Sequence, residues 1–466
     1  MRALVAGLLA GVLLAPAARA QDAHDEQRAA RERSARAQTS AAAREAVLLA
    51  TAEDERDVAY ADVLSAPDDV ALNFRFAKSQ VRRGDLKGAS TTLERILLME
   101  PDLPRIRLFY AVVLYRLGNL HEAEREFQAV AALPLADPLR GEVEGYLSRI
   151  AREQRLHRYT TSLAVGAQHD TNRNASPSSR AMLFQDQVIP LAGSSLREPD
   201  LSFISVFNAG VERDLATQEG DKLNASLSYY DAAQHDLEEF ELQALTLDTG
   251  ARFVTDWGTF TPQLSGSTVL LAHEKYIESA GVSLRLDRRA SEHVALFANA
   301  RFEYQDFKPV DSSPTADDRS GGVAQLDLGA DWPLGPSQRL AVQLGGTSKH
   351  ARENYYAYTG GAALLSHTWL LGSGQFLLST AVARYDTYRE EQEFVSHRKR
   401  RDAGLRGQLL YGVPLELVVG RWLELRALQG VVVTLRVEHS ATESNLRNYE
   451  YANTAYALSF SSSFEL

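Results

Sequence analysis

Residues 293–306 read HVALFANARFEYQD. Val294, Leu296, Ala298, Ala300, Phe302 and Tyr304 share one parity. Asn299, Arg301, Glu303 and Gln305 share the other, with Phe297 the apolar exception. A period of two held over this length describes a strand with one apolar and one polar surface. The design recurs. Leu423, Leu425, Ala427, Val431, Val433, Leu435 and Val437 alternate with charged and polar residues that include Arg436 and Glu438. Ala324, Leu326, Leu328, Ala330 and Trp332 alternate with Gln325, Asp327, Gly329 and Asp331. Strands of a soluble sandwich average about five or six residues. These run to ten or more, the length that a tilted strand needs to cross a membrane. The polar parity carries charge along its length, as the wall of a water-filled lumen does. Arg301, Glu303, Arg436 and Glu438 are therefore expected as solvated lumen-wall residues. Long strands without an edge problem imply closure.

Working outward gives about fourteen such segments. They lie near 158–170, 200–213, 222–234, 240–255, 259–272, 276–287, 292–307, 321–332, 338–352, 355–370, 375–388, 402–412, 423–439 and 449–466. An even number is what bacterial transmembrane barrels have. The connections at 256–258, 333–336 and 372–374 read as tight turns, and 171–199, 309–320 and 391–400 as longer polar loops at the opposite end. The basic run Arg398-Lys399-Arg400-Arg401 falls in one of those loops, a place where contact with lipopolysaccharide is plausible. Trp257, Trp332 and Trp422 flank the tight turns, as the aromatic girdle of a barrel does.

Before residue 157 the pattern changes. Arg2, the apolar run 4–14 and Ala18-Arg19-Ala20 make a signal peptide over 1–20, too short to span a bilayer as a helix. Residues 21–69 are a charged, partly helical or disordered lead-in. Residues 70–156 hold a repeat of 34: Phe76-Ala77 returns as Tyr110-Ala111, Gly84 as Gly118, Ala89 as Ala123, Leu93 as Phe127 and Ile96 as Val130. That is the tetratricopeptide period, followed by a capping helix over 137–156. The polar helix-A residues Asn73, Gln80 and Arg116 are candidates for a client-binding face. The fold class is thus a multidomain α+β chain: all-α tetratricopeptide-like repeats, then a transmembrane antiparallel barrel over 157–466.

Composition narrows the chemistry. The formal net charge of −11 repels nucleic acid, and loss of Arg2 and Arg19 with the signal takes it to −13. There is no Cys, which excludes disulfides, thiolate metal sites and lipidation on Cys. The eleven His show no metal-ligand spacing, and no nucleophile elbow or phosphate loop is present. The expectation is a non-enzymatic, monomeric barrel without cofactor, contacting outer-membrane lipid.

The first strand ends in Gly166-Ala167-Gln168-His169-Asp170-Thr171-Asn172-Arg173-Asn174-Ala175. Joined to a tetratricopeptide-like domain with Gly118-Asn119 and Ala-Glu-x-x-Phe at 123–127, this resembles the surface lipoprotein assembly modulator (Slam) family. Asp170, Thr171, Asn172, Asn174 and Ala175 match its motif. Arg173 stands where the family usually has an apolar residue. The resemblance covers roughly residues 70–466. It implies an outer-membrane translocator that delivers a client lipoprotein or related secreted binding protein to the cell surface, with the repeats capturing client in the periplasm. Two other readings share the architecture: an exopolysaccharide export porin, and a passive nutrient porin with a periplasmic scaffold. The motif residues themselves leave two roles open, since short Asx side chains at a strand end shape turns as readily as they meet a client.

Overall fold

The computed structural model describes residues 58–420 and 430–465, apart from 136, 218 and 292. The signal peptide, the lead-in up to residue 57, Trp422 and the first part of the expected 423–439 strand lie outside the described residues. The chain divides into two compact units, one ending at Arg155 and one beginning at Leu156.

The first unit is helical among its described residues. A short helix α1 (Tyr60–Ser65) precedes α2 (Val70–Arg82), α3 (Leu86–Met99), α4 (Pro104–Arg116), α5 (Leu120–Ala131) and α6 (Asp137–Glu153). The paired helix starts, 104 − 70 and 120 − 86, both differ by 34, so two helical hairpins repeat at that period. Local chemistry sets their ends. Asp69 and Asp85 accept from the amides of Leu72 (3.0 Å) and Gly88 (2.9 Å), capping α2 and α3. Pro104 opens α4, where its missing N–H costs nothing. Ala77, Ala89, Ala111 and Ala123 are fully buried where the helices cross, and Leu93, Ile96, Phe127, Val130 and Ile150 fill the space around them. Tyr146 of α6 stacks on Phe127 at 4.7 Å. Tyr115 of α4 donates to Glu153 of α6 at 2.7 Å, and burial together with that carboxylate pushes the phenol up to about 12.

Gly84 and Gly118 each turn a hairpin at φ +81°, the left-handed region, and a side chain at either would meet no neighbour. The cost of Gly84→Ala is then conformational alone, about 1–2 kcal/mol. For a unit of this size that lowers the melting temperature by roughly 4–8 °C per kcal/mol. The far-ultraviolet helical signal of the full chain on heating checks it, with the strand signal unmoved.

The second unit is one closed antiparallel barrel of fourteen strands, numbered here with two short extra strands in sequence order. They are β1 (His157–Asp170), β2 (Ala181–Phe184), β3 (Gln187–Pro190), β4 (Asp200–Asp214), β5 (Lys222–Gln234), β6 (Leu242–Val254), β7 (Thr259–Leu271) and β8 (Glu274–Ser291). Then follow β9 (Val294–Phe307), β10 (Gly321–Pro333), β11 (Gln338–Lys349), β12 (Tyr358–Gly372), β13 (Gln375–Gln392), β14 (Ser396–Pro414), β15 (Val432–Ser444) and β16 (Tyr451–Glu465). β2 and β3 form a separate hairpin; all others close through the β1–β16 pairing, from Thr160↔Glu465 to Asp170↔Ala455.

The alternation has the expected sense. On β10, Leu326 and Leu328 are 53% and 56% exposed on the outside, and Asp327 between them is 5% exposed on the inside. Leu264, Leu344, Leu405, Leu458 and Phe464 continue the outer belt. An apolar belt around a closed sheet, with every ladder bond satisfied internally, is the surface of a transmembrane barrel.

Two expectations about connections are corrected. Residues 391–400 do not form a long loop. β13 runs to Gln392 and β14 restarts at Ser396, so the basic run 398–401 is strand. Nor do all the tight turns lie at one end. The end where β1 finishes, called the far end below, also carries the two-residue turn Ala272-His273, both at positive φ. At the near end β14 runs directly into a short helix α7 (Leu415–Val419).

Candidate functional site

The candidate site begins at the far end of β1. Strand pairing brings Asp170 opposite Ala455, with Asn453 of β16 just beyond it. Asn453 donates to Asp170 Oδ1 (2.7 Å), and its own oxygen accepts from the Thr171 hydroxyl (3.2 Å) and the Asn172 amide (3.0 Å). The Asn172 side chain donates to the carbonyls of Ser176 (2.9 Å) and Ala452 (3.0 Å) and accepts from the Ser176 amide (3.0 Å). Asn174 donates to the Leu196 carbonyl (2.6 Å) and accepts from the Glu198 amide (3.1 Å). The four polar motif residues are thus engaged in fixing the start of the 171–199 connection, and Asp170, Asn172 and Asn174 are buried. Arg173 is buried as well. It donates to the Phe240 carbonyl at 2.9 Å and stands 3.9 Å from Asp170.

Both Asn side chains satisfy backbone groups of this connection, and they share the Ser176 amide, 3.0 Å from the Asn172 oxygen and 3.4 Å from the Asn174 oxygen. A buried polar group left without its partner costs about 1–3 kcal/mol. Asn172→Ala takes the side-chain donor from the Ser176 and Ala452 carbonyls and leaves the Ser176 amide only its 3.4 Å bond to Asn174, so a loss of about 1–3 kcal/mol is expected. It shows as a lower fraction of barrel that resists unfolding on unheated gels; an unchanged fraction overturns the turn-fixing role.

The 171–199 connection carries the β2–β3 hairpin to the neighbouring far-end turns. Asn448 pairs its amide with Leu183, accepting from the nitrogen at 2.6 Å and donating to the oxygen at 2.9 Å. Asp186 accepts from the Ser396 hydroxyl and the His397 amide, which together hold its carboxyl below the ordinary range. Leu183 packs with Val395, Leu446 and Tyr449.

Below these connections the lumen wall has a rule that period-two reading did not isolate. A donor sits two residues before an acid on the inward face: Gln168/Asp170, Arg285/Asp287, Arg301/Glu303, Gln325/Asp327, Arg384/Asp386 and Arg400/Asp402. Residues i and i+2 share a strand face, so the longer donor lies along the wall and grips the acid. Arg301 and Glu303 are therefore an ion pair with Glu303 buried, not two solvated groups. Arg436 and Glu438 do not pair with each other. Arg436 donates to Gln168, and Glu438 meets Arg406 of β14 at 3.5 Å. Nearer the near end, the wall from β15 round to β5 carries a band of small hydroxyls and amides, with the Lys222–Glu212 ion pair of β5 and β4 (2.6 Å) at its near rim. Ser162, Asn208 and Ser228 form a chain at 3.1 and 2.7 Å, and Thr434 meets Ser459 at 2.6 Å.

The expected client face on the helices is corrected at two of its three residues. Asn73 is buried, donating to the carbonyls of Pro67 and Asp69 (both 2.8 Å) and accepting from Arg95. Gln80 is buried, with its oxygen accepting from Thr92 of α3 at 2.9 Å. These amides tie helix ends together and offer nothing to a ligand; Arg116 is exposed. Among the described residues no group of three or more His, Asp or Glu is arranged to hold a metal ion.

No protein-family model and no curated protein matches the sequence. Solved structures do. The outer membrane protein opdK from Pseudomonas aeruginosa is 10% identical over 66% of this chain and 99% of its own, with a TM-score of 0.31. OmpTdeltaL8, a loop-deletion mutant of an outer membrane protein of Vibrio cholerae, is 7% identical over 66% of this chain and 100% of its own, at 0.35. PcrH from Pseudomonas aeruginosa is 22% identical over 18% of this chain and 66% of its own, at 0.17.

Proposed function

We propose that this chain is an outer-membrane translocator of the Slam type, which delivers a lipoprotein or related secreted binding protein to the cell surface. The observation that carries the reading is the Asp170–Asn174 motif, which resembles that family's and stands at the end of the first barrel strand of a chain that also bears 34-residue helical hairpins. In this reading the barrel is the conduit and the helical unit, in the periplasm, captures the client. The hydroxyl-lined wall toward the near end supports it. Small neutral polar groups in that band hydrate a passing polypeptide without gripping it.

Deletion of residues 21–156 with the signal kept tests the assignment in cells that carry the client. The barrel's own ladder closes it, so it still inserts. Client labelled by antibody on intact cells falls several-fold, and undelivered client accumulates in the periplasm. Display at the undiminished level removes the capture role from the helices. Display that persists when the whole chain is deleted removes the translocator reading.

A further inference from the structure

We infer that the far mouth of the barrel is shut by its own connections, and that residues 308–320 form a plug bolted across the bore by Arg319. The proposal rests on the lumen being the conduit, as proposed above, and assigns the state in which that conduit rests.

The plug is held first by its seat. β6 to β9 turn Leu242, Leu271, Ile277 and Phe307 inward at the far end, and all are buried. Apolar side chains on a lumen wall are wet in an open pore. Here Val310 and Ala316 of the connection cover them. The connection folds tightly enough to do so. Val310 and Ser313 exchange backbone bonds of 3.3 and 2.8 Å, Lys308 N donates to the Tyr276 carbonyl at 2.9 Å, and Phe307 N donates to the Ser320 hydroxyl at 2.9 Å.

The bolt is Arg319. A register shift where Val269↔Ile277 gives way to Leu270↔Lys275 leaves Tyr276 as an extra residue on β8, so Tyr276 and Ile277 are both buried. A bulge re-aims a side chain in this way. Arg319 Nη1 donates to Tyr276 Oη at 2.9 Å, and its guanidinium lies 5.1 Å from the Tyr356 ring, which it also hydrogen-bonds. It is within electrostatic reach of Tyr449, in the turn between β15 and β16. β8 and β15 stand seven places apart in a ring of fourteen strands, on opposite sides of the bore. One guanidinium ties β8 to the connection between β11 and β12, and side-chain contacts carry on from there: Tyr356 to Tyr355 (4.7 Å) and Tyr355 to Phe394 (6.0 Å), next to Val395, which packs with Tyr449. Tyr449 is fixed in turn: Arg400 stacks 3.4 Å from its ring centroid, and its hydroxyl donates to Gln392. The chain of contacts crosses the bore from wall to wall, and a client cannot pass until residues 308–320 withdraw.

The absence of Cys in the sequence makes the test clean. Ser265→Cys places a single thiol on the inward face of β7, nearer the near end than the plug seat. His235→Cys places one in the exposed far-end 235–241 connection. Intact cells are treated with a membrane-impermeant maleimide. The thiol at 235 labels fast, and the thiol at 265 labels at least tenfold more slowly. Arg319→Ala, or replacement of 311–318 by a short Gly-Ser link, brings the rate at 265 to within about twofold of that at 235. The same variants of the purified full chain raise conductance in planar bilayers at least fivefold. A thiol at 265 that labels as fast as one at 235 in the otherwise unaltered chain overturns the closed mouth, whether or not the Arg319 variant folds. A folded plug replacement that leaves labelling and conductance unchanged overturns the assignment of 308–320. Neither readout involves a client, so the closed mouth and the Slam reading fail separately.

Discussion

Leu328→Arg is expected to destabilise the inserted barrel by about 2–4 kcal/mol, and Gln343→Arg by less than about 1 kcal/mol. The two positions are neighbours on adjacent strands: Leu328 pairs with Leu344, and Gln343 is the next residue along β11, opposite Gly329. They differ only in which side of the sheet they occupy. Leu328 lies on the outer belt near the middle of its strand, and a guanidinium there must be taken into hydrocarbon or drag water and headgroups inward. Gln343 shares the inward parity of Asp327 and Lys349, where an added cation meets polar wall and solvent. The size of the Leu328 loss decides the matter: about 2 kcal/mol or more, a factor of about 30 in the folding equilibrium, cannot arise from local strand propensity, which spans about 1 kcal/mol. Urea titration of the purified chain folding into lipid vesicles measures both. Equal losses, or a larger loss at Gln343, would mean that the apolar parity does not face lipid.

That contrast also marks where the sequence is readable. Alternation exists because one face of a strand sees lipid and the other sees water, so β9 and β10 can be read off residues 294–307 and 321–333 within a residue or two. The signal ends where lipid ends. Above the belt both faces of the β13–β14 hairpin are polar, and 391–400 therefore looks like a loop although the ladder continues. The four-residue strands β2 and β3 are too short to show a period at all. The helical unit repeats the lesson with different physics. Its 34-residue period is set by Ala and Gly where helices cross and turn, and those positions are visible. Asn73 and Gln80 look like surface because they are polar; they are buried because an amide can satisfy backbone and side-chain groups at a helix junction. At the far end of β1, the residues that complete the Asp170–Asn174 network are Asn453 and Leu196, the first about 280 positions away in the chain. No local pattern points to it. One missed feature was within reach: the repeated donor-x-acid spacing from Gln168/Asp170 to Arg400/Asp402 is a sequence signal, and only its inward direction needs the barrel.

Arg400 gives that signal its sharpest consequence. Of the basic run it is the one most deeply placed, with its Nε 2.7 Å from Asp402 and its guanidinium 4.3 Å from the Tyr388 ring as well as over Tyr449. Asp402 and Asp386 stand directly opposite each other on β14 and β13. Each acid has its own arginine, since Arg384 Nε lies 2.6 Å from Asp386. Arg400→Ala removes one of the two cations and leaves two buried carboxylates facing each other with a single guanidinium between them. Breaking a buried pair from one side costs about 3–5 kcal/mol, most of it the stranded charge. The partner substitution separates that cost from lost packing. Asp402→Asn in the Arg400→Ala background removes the stranded charge, so the double variant recovers about half or more of the loss. Independent sites would add instead. Arg398→Ala, two positions earlier with an exposed side chain, changes stability by less than about 0.5 kcal/mol. Urea titration of the four chains gives the cycle. A double variant that loses the sum of the two single losses would show that Arg400 acts by stacking on Tyr388 and Tyr449 alone, and that the acid ladder of the lumen is not held by its arginines.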